Sequence, residues 1–240
     1  MHMNKGIIIT GGHVDGAFVR AWLSREYRTI DGKLFLPEGE RIGLIAADRG
    51  LEACEKNGLV PDRIVGDFDS ADPEILRNWK DRTDTKVCIY NPEKDWTDTE
   101  LALEHGITLG WKQVILLGAS GTRIDHLAGN IQTLALGLKK GVTCELLDSY
   151  NRIRMTDRPL TLSKENQWGT YVSLFAYGGN VNGLTLKGFR YPVEDFLLTQ
   201  EGSRGVSNEI VSARAEISFR SGRLLVMETA DTDFLTRQRG

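Results

Sequence analysis

The sequence predicts an α/β domain built on a mostly parallel sheet, followed by a C-terminal all-β domain folded as an antiparallel β-sandwich. Three observations carry the prediction. Six short apolar runs alternate with helical segments across the first 148 residues, the pattern of a sheet covered on both faces. Beyond Asp148 the rhythm changes to short period-two strands separated by glycine turns, as in a sandwich. The runs of the first part end in acids or paired glycines, where open α/β sheets bind ligands. The expected division is therefore 1–148 and 149–240.

Bulk properties exclude several classes of function. With 240 residues, 26% charged and a net charge of -3, there is no broad basic surface for nucleic acid. No apolar run reaches membrane-spanning length, and no signal-peptide pattern leads the chain. Cys54, Cys88 and Cys144 are odd in number and show no metal-site spacing. Buried thiols in a reducing, cytoplasmic setting account for them better than disulfides or zinc.

Taken in order, Lys5–Thr10 is an apolar strand ending at Gly11-Gly12, and Val14–Tyr27 is helical, with Phe18, Trp22 and Leu23 on an apolar face. Residues 28–40 carry glycine, proline and charge and read as a loop. Ile42–Ala47 is a strand closed by Asp48. A helix over 51–56 ends near Gly58, a residue suited to a helix C-terminus. Arg63-Ile-Val is a short buried strand, and Asp72-Pro73 starts the next helix, near 73–80. A strand at 86–90 precedes the segment Asn91–Asp98. Thr97 and Glu100 have capping-box spacing at the start of a helix running to about 109. After the strand 113–117 and the turn 118–123, a long helix reaches about 138, closed by Lys139-Lys140-Gly141. A strand over 142–147 ends the domain. In the second part, 170–175, 211–220 and 223–228 are the clearest strands. No helix is expected there, and residues 229–240 read as a loosely held tail.

The chemistry concentrates at the strand ends. Asp67 and Asp69, two apart in extended chain, project together as a cradle for a hard divalent cation carrying phosphate oxygens. Asp48, Asp95 and Asp98 follow neighbouring strands, so the topology predicts five carboxylates along one edge. Such crowding favours a cation among them. Gly118 and Gly121 give backbone amides access to an anion, and Arg123 is placed to fork onto phosphate. Each residue also has a plain structural use: Asp98 suits a helix dipole, and Asp125 suits a helix start. His126, Trp96 and Trp111 read as structural. Neither a P-loop nor a dinucleotide fingerprint is present.

Five motifs stand in order: Asp48-Arg-Gly50, Gly66-Asp-Phe-Asp-Ser70, Lys94-Asp-Trp-Thr-Asp-Thr-Glu-Leu-Ala-Leu103, Gly118-Ala-Ser-Gly-Thr-Arg-Ile-Asp-His126 and Ser207-Asn208-Glu209. In order and spacing they resemble the thiamine pyrophosphokinase (thiamine diphosphokinase) family, over nearly the whole chain. The resemblance implies an α/β catalytic domain with a β-sandwich, and transfer of diphosphate from ATP to the hydroxyethyl group of thiamine, releasing AMP. It implies Mg²⁺ held by Asp67, Asp69 and Asp98, with Asp48 and Asp95 in the same acidic group. Arg123 and the Gly118–Gly121 turn would face ATP; Asp125, Ser207 and Asn208 would serve thiamine. A homodimer with sites between subunits is implied as well. Thr122 departs from the family, where glycine usually precedes the arginine. The rival readings are a diphosphokinase acting on a pterin alcohol, an inactive nucleotide- or thiamine-binding module, and a paired-acid phosphatase or nuclease.

Overall fold

The computed structural model describes residues 4–67, 73–80, 82, 84–91 and 95–238. Asp69, Ser70, Asp72 and Lys94 lie outside the described residues, so the expectations placed on them stop there. The chain divides into two units, Met1–Asp148 and Ser149–Gly240.

The first unit runs β1 (Lys5–Ile9), α1 (Gly16–Glu26), β2 (Arg28–Ile30), β3 (Lys33–Phe35), β4 (Arg41–Ala47), α2 (Gly50–Lys56) and β5 (Arg63–Gly66). It continues with α3 (Pro73–Lys80), β6 (Lys86–Ile89), α4 (Asp98–Thr108), β7 (Gln113–Leu117), α5 (Ile124–Lys139) and β8 (Thr143–Leu147). Strands β6-β5-β4-β1-β7-β8 pair in that order, all parallel. Strand β1 lies between β4 and β7, so the chain leaves it in one direction and later returns on its other side. That reversal is a topological switch point, the usual place for a ligand. The central strands are buried on both faces: Ile7, Ile8, Ile9, Leu44, Ile45 and Ala46 are all essentially inaccessible. This explains their unbroken apolar sequence.

Helix α4 owes its place to Trp111. The indole is wholly buried and rests on three glycines, Gly6 of β1, Gly43 of β4 and Gly106 of α4. A Cβ at any of them would overlap its ring. The start of α4 is fixed as the sequence predicts. Thr97 caps it, Glu100 N–H donates to Thr97 Oγ1 at 3.2 Å, and Thr97 N–H donates to Glu100 Oε2 at 3.0 Å.

An expectation about the loops of this unit fails. Residues 28–40 are not loop throughout: β2 and β3 form an antiparallel hairpin turned by Asp31-Gly32, both with positive φ. Aspartate-glycine is a strong signal for this type of turn, and the surrounding charge obscured it.

The second unit runs β9 (Asn151–Thr156), β10 (Leu160–Ser163), β11 (Tyr171–Ala176), β12 (Val181–Lys187), β13 (Val193–Leu198), β14 (Asn208–Glu209), β15 (Arg214–Ser218), β16 (Leu224–Thr229) and α6 (Phe234–Arg237). Two antiparallel sheets, β14-β11-β16-β9 and β10-β15-β12-β13, enclose one apolar core. Val172, Leu174 and Val226 of the first sheet meet Leu184, Leu186 and Ile217 of the second. In β16, Glu228 is an exception to that apolar pattern. Its side chain is 0% exposed, and it accepts from Arg152 Nε at 3.0 Å, from Arg154 and from the Trp168 amide at 2.9 Å. Burial pushes its carboxyl up, but the guanidinium hydrogen bonds and charges and the amide more than offset that, leaving it below the usual range.

The expected tail is another correction. Asp233 caps the short helix α6, Phe234 is buried and stacks on Trp168 with ring centroids 5.1 Å apart, and Arg237 donates to Ser149 O at 3.1 Å.

Candidate active site

The carboxyl ends of β4, β5 and the start of α4 meet at Gly66. Asp48 follows β4, takes a left-handed backbone (φ 48°) and donates its N–H to Val65 O at 2.9 Å. A Cβ built on Gly66 would lie 3.2 Å from Asp48 Cα and 3.5 Å from Asp98 Oδ1. Asp67 is the next residue, half-buried like Asp48 and Asp98. The structure therefore brings Asp48 and Asp98 together beside Asp67, while Asp69 lies outside the described residues. Asp95 stands exposed just ahead of α4. Trp96 corrects a sequence expectation: the residue is 62% exposed and is not part of the core. Trp111 packs as expected.

The second half of the edge is made of glycine turns. Gly118, after β7, has φ 72°, and a Cβ there would come 2.7 Å from Val14 Cγ2 and 3.0 Å from Thr10 O. Gly121 lies against the first turn of the chain, its would-be Cβ 3.2 Å from His13 N and 3.5 Å from Gly12 Cα. Only glycines allow the ends of β1 and β7 to approach so closely. The contact with Gly12 and His13 was not legible beforehand, because glycine pairs mark turns without saying what they touch.

Arg123 and Asp125, expected on different substrates, are joined in the structure. Arg123 Nε donates to Asp125 Oδ1 at 3.2 Å and Nη2 donates to Oδ2 at 2.5 Å. This two-pronged bond holds the Asp125 carboxyl down to about 2, helped by the His126 N–H. Both side chains are about two-thirds exposed, so the pair is accessible and worth little to stability. His126, read as structural, is also exposed at the start of α5.

In the second unit, Ser207 takes φ 58°, an uncommon setting for serine, and its N–H donates to Ser173 Oγ at 3.0 Å. Asn208 is buried. Its Oδ1 accepts from Tyr191 N–H at 3.0 Å and its Nδ2 donates to Tyr191 O at 2.9 Å. Its amide thus clamps the backbone beneath Tyr191, whose ring is exposed, and shapes the surface there.

All donors at the acidic edge are carboxylates, which suits a hard cation and not a soft one. Among the described residues no group of three histidine, cysteine or acidic side chains is arranged to hold a metal. Magnesium does not need one: it is commonly held through one or two carboxylates while substrate phosphates and water complete its octahedron. A separate cavity of about 320 Å³ opens at the amino ends of β1, β7 and β8, lined by Lys5, Tyr27, Gln113, Thr143 and Glu145. It is at the far end of those strands from the acids.

A switch point edged by carboxylates and glycine turns, in a chain that continues into a β-sandwich, has the layout of a nucleotide-dependent transferase. Family models agree on which one: residues 40–146 match the thiamin pyrophosphokinase catalytic domain and residues 159–224 its vitamin B1 binding domain. The thiamine pyrophosphokinase of Bacillus subtilis is 30% identical over 187 residues, covering 78% of this chain and 87% of that protein. A crystal structure of thiamine pyrophosphokinase from B. subtilis superposes with a TM-score of 0.78, at 27% identity, covering 95% of this chain and all of the other. The Candida albicans enzyme, at 13% identity and TM-score 0.71 over 93% of this chain and 90% of that one, shares the fold. The chain belongs to the thiamine pyrophosphokinase family and is an enzyme of that type. The vitamin-binding match sets aside the pterin alternative.

Proposed function

We propose that the chain transfers a diphosphoryl group from ATP to the hydroxyethyl oxygen of thiamine, with Mg²⁺ held by Asp67, Asp69 and Asp98 and with Asp48 and Asp95 in the same acidic group. The observation that carries this reading is that the Asp48 backbone and the Asp98 carboxylate both border Gly66, the residue before Asp67. Acids gathered on one edge of the sheet suit a cation, and a triphosphate delivers one. When bound, the metal supplies neutralisation of charge on the phosphate oxygens.

The chain's own residues do the rest. The thiamine oxygen attacks the β-phosphorus, the bond from that phosphorus to the α–β bridging oxygen breaks, and AMP leaves with the negative charge. Arg123 can exchange its fork on Asp125 for phosphate oxygens, since both present the same geometry. Asp125, released, would then face the cationic substrate. Amides of the Gly118–Gly121 turn add donors for the anion. An aspartate accepts the hydroxyl proton late in the transfer, and positioning of the two reactants supplies much of the acceleration. Ser207 and the Asn208 clamp under Tyr191 shape the thiamine pocket.

The chain works as a homodimer with its sites between subunits. The exposed apolar side chains Tyr191, Leu197, Val206 and Val211 of the second unit support a partner surface. A cytoplasmic location is supported by the free cysteines. Burial above all raises the thiols of Cys54 and Cys144 to about 12, leaving them inert.

The test is AMP release from ATP by purified protein. Equal amounts of AMP and thiamine diphosphate are expected, dependent on both thiamine and Mg²⁺, with loss on adding EDTA. Asp98→Asn should lower turnover about 100-fold or more while circular dichroism stays unchanged. AMP release that ignores thiamine, or normal turnover in Asp98→Asn, would overturn the reading. Sedimentation at micromolar protein tests the dimer.

A further inference from the structure

Behind the acidic edge lies a three-residue chain that the proposed reaction does not use. His105, in the last turn of α4, is half-buried between Arg63, the first residue of β5, and Tyr90, just after β6. Arg63 Nη1 is 2.6 Å from His105 Nδ1, and Tyr90 Oη is 2.7 Å from His105 Nε2. The two rings meet edge to face, centroids 6.0 Å apart. A guanidinium only donates, so Nδ1 must accept. The imidazole is therefore neutral, its proton is on Nε2, and that N–H donates to the Tyr90 hydroxyl. The arrangement fixes one tautomer.

Each member sits on an element that carries part of the acidic edge. Arg63 begins the strand that ends at Gly66 and leads into Asp67. His105 is on the helix that begins with Asp98. Tyr90 donates its backbone N–H to Gly66 O at 3.0 Å, and the chain leaving it comes back as Asp95 and Asp98. We infer that His105 and Tyr90 are positioning residues for diphosphoryl transfer: with Arg63 they lock α4 to β5 and to the end of β6, so that Asp98 is held against Gly66 and Asp67. This rests on the catalytic role given to those acids above.

The lock has a built-in dependence on pH. A second proton on the imidazole would occupy Nδ1 and point it at the Arg63 guanidinium, which has nothing to accept it. The Arg63 guanidinium from β5 and the Tyr90 hydroxyl face the ring, and Lys86 of β6 adds positive charge to its surroundings. Burial first, then the charges of Arg63 and Lys86, hold its pKa below the ordinary 6.5. A pKa depressed on folding means that the lock is fully made above about 6.5 and lost as pH falls through the folded value.

The test compares His105→Gln, His105→Leu and Tyr90→Phe with wild type, as kcat and KM for ATP between about pH 5.5 and 8.5. Glutamine can accept from Arg63 and donate to Tyr90 and does not titrate. It should keep kcat/KM within about 3-fold at pH 8 and hold that activity further into acid than wild type. Leucine should lose about 10-fold or more, and Tyr90→Phe about 3–10-fold, at unchanged thermal midpoint. A leucine variant with wild-type kcat/KM, or a glutamine variant sharing the wild-type acid limb, overturns the inference. Should leucine prevent folding, Tyr90→Phe decides, since it removes one oxygen. ¹⁵N NMR of the wild-type histidines gives a readout free of activity. A neutral Nε2–H ring for His105 at about pH 6 supports the lock, and titration near 6.5 with mixed tautomers refutes it. If wild type turns over no thiamine, the activity reading fails by itself, and the NMR result still judges the lock.

Discussion

Replacing Gly66 by alanine tests the acidic edge through one added carbon. Gly66 does not have positive φ, so alanine suits its backbone and the effect is purely one of space. The new Cβ would stand 3.2 Å from both Cα and N of Asp48 and 3.5 Å from Asp98 Oδ1. Carbon contacts settle near 3.5–4.0 Å, so the Asp48 backbone has to retreat by about 0.3–0.8 Å. Crowding of this kind costs about 1–3 kcal/mol. The stiffer unfolded chain returns about 0.4–1 kcal/mol, leaving a net loss of about 0–2.6 kcal/mol and a fall in Tm of at most about 10 °C. Activity should suffer out of proportion. Misplacement by 1 Å costs about 100-fold, so the shift expected here corresponds to about 4–40-fold in kcat. Steady-state AMP release at saturating thiamine, paired with a thermal scan, measures both. A folded Gly66→Ala protein with wild-type kcat would refute the idea that Asp48, Gly66 and Asp98 border the reacting phosphates.

Two further substitutions each probe what holds one unit together internally. Glu228→Gln leaves Arg152 and Arg154 facing a neutral amide and should cost about 2–4 kcal/mol in urea unfolding at neutral pH. Because the folded carboxyl is depressed below its ordinary 4.5, that deficit should shrink as pH drops below about 4.5; a deficit independent of pH contradicts the ion-pair account. Trp111→Ala empties the slot between α4 and the sheet and should cost about 3–5 kcal/mol, lowering kcat as well because Asp98 rides on α4. A loss below about 1 kcal/mol means that the glycine slot closes by itself.

What was legible in the sequence follows from how local each signal is. The parallel strands showed because burial on both faces leaves β1 and β4 almost purely apolar, and the α4 boundary showed because Thr97 and Glu100 are three residues apart in a fixed motif. The hairpin at 28–35 was hidden by Glu26, Arg28 and Lys33, whose charges resemble loop composition more than strand alternation. The docked tail was hidden because Phe234 and Trp168 are far apart in sequence, and neither announces its partner. At the site, topology alone put Asp48, Asp67 and Asp98 on one edge. The Arg63–His105–Tyr90 chain was invisible for the opposite reason: its members lie on three elements, and a lone histidine in a helix has no characteristic spacing. Asn208 was read as a pocket residue, yet its amide is committed to the Tyr191 backbone, a pairing that only coordinates reveal.

The order of strands in the second unit bears on how the protein is made. Strand β16 is the last in sequence, yet it lies between β11 and β9 and carries Glu228, with α6 following to cover Trp168. Until β16 has been synthesised, that sheet lacks an interior strand, and the half-buried Arg152 and Arg154 lack the Glu228 carboxylate. The first unit, complete at Asp148, is free to fold while synthesis continues. The first unit can thus form early in synthesis, whereas the second cannot complete its sheet until β16 has emerged.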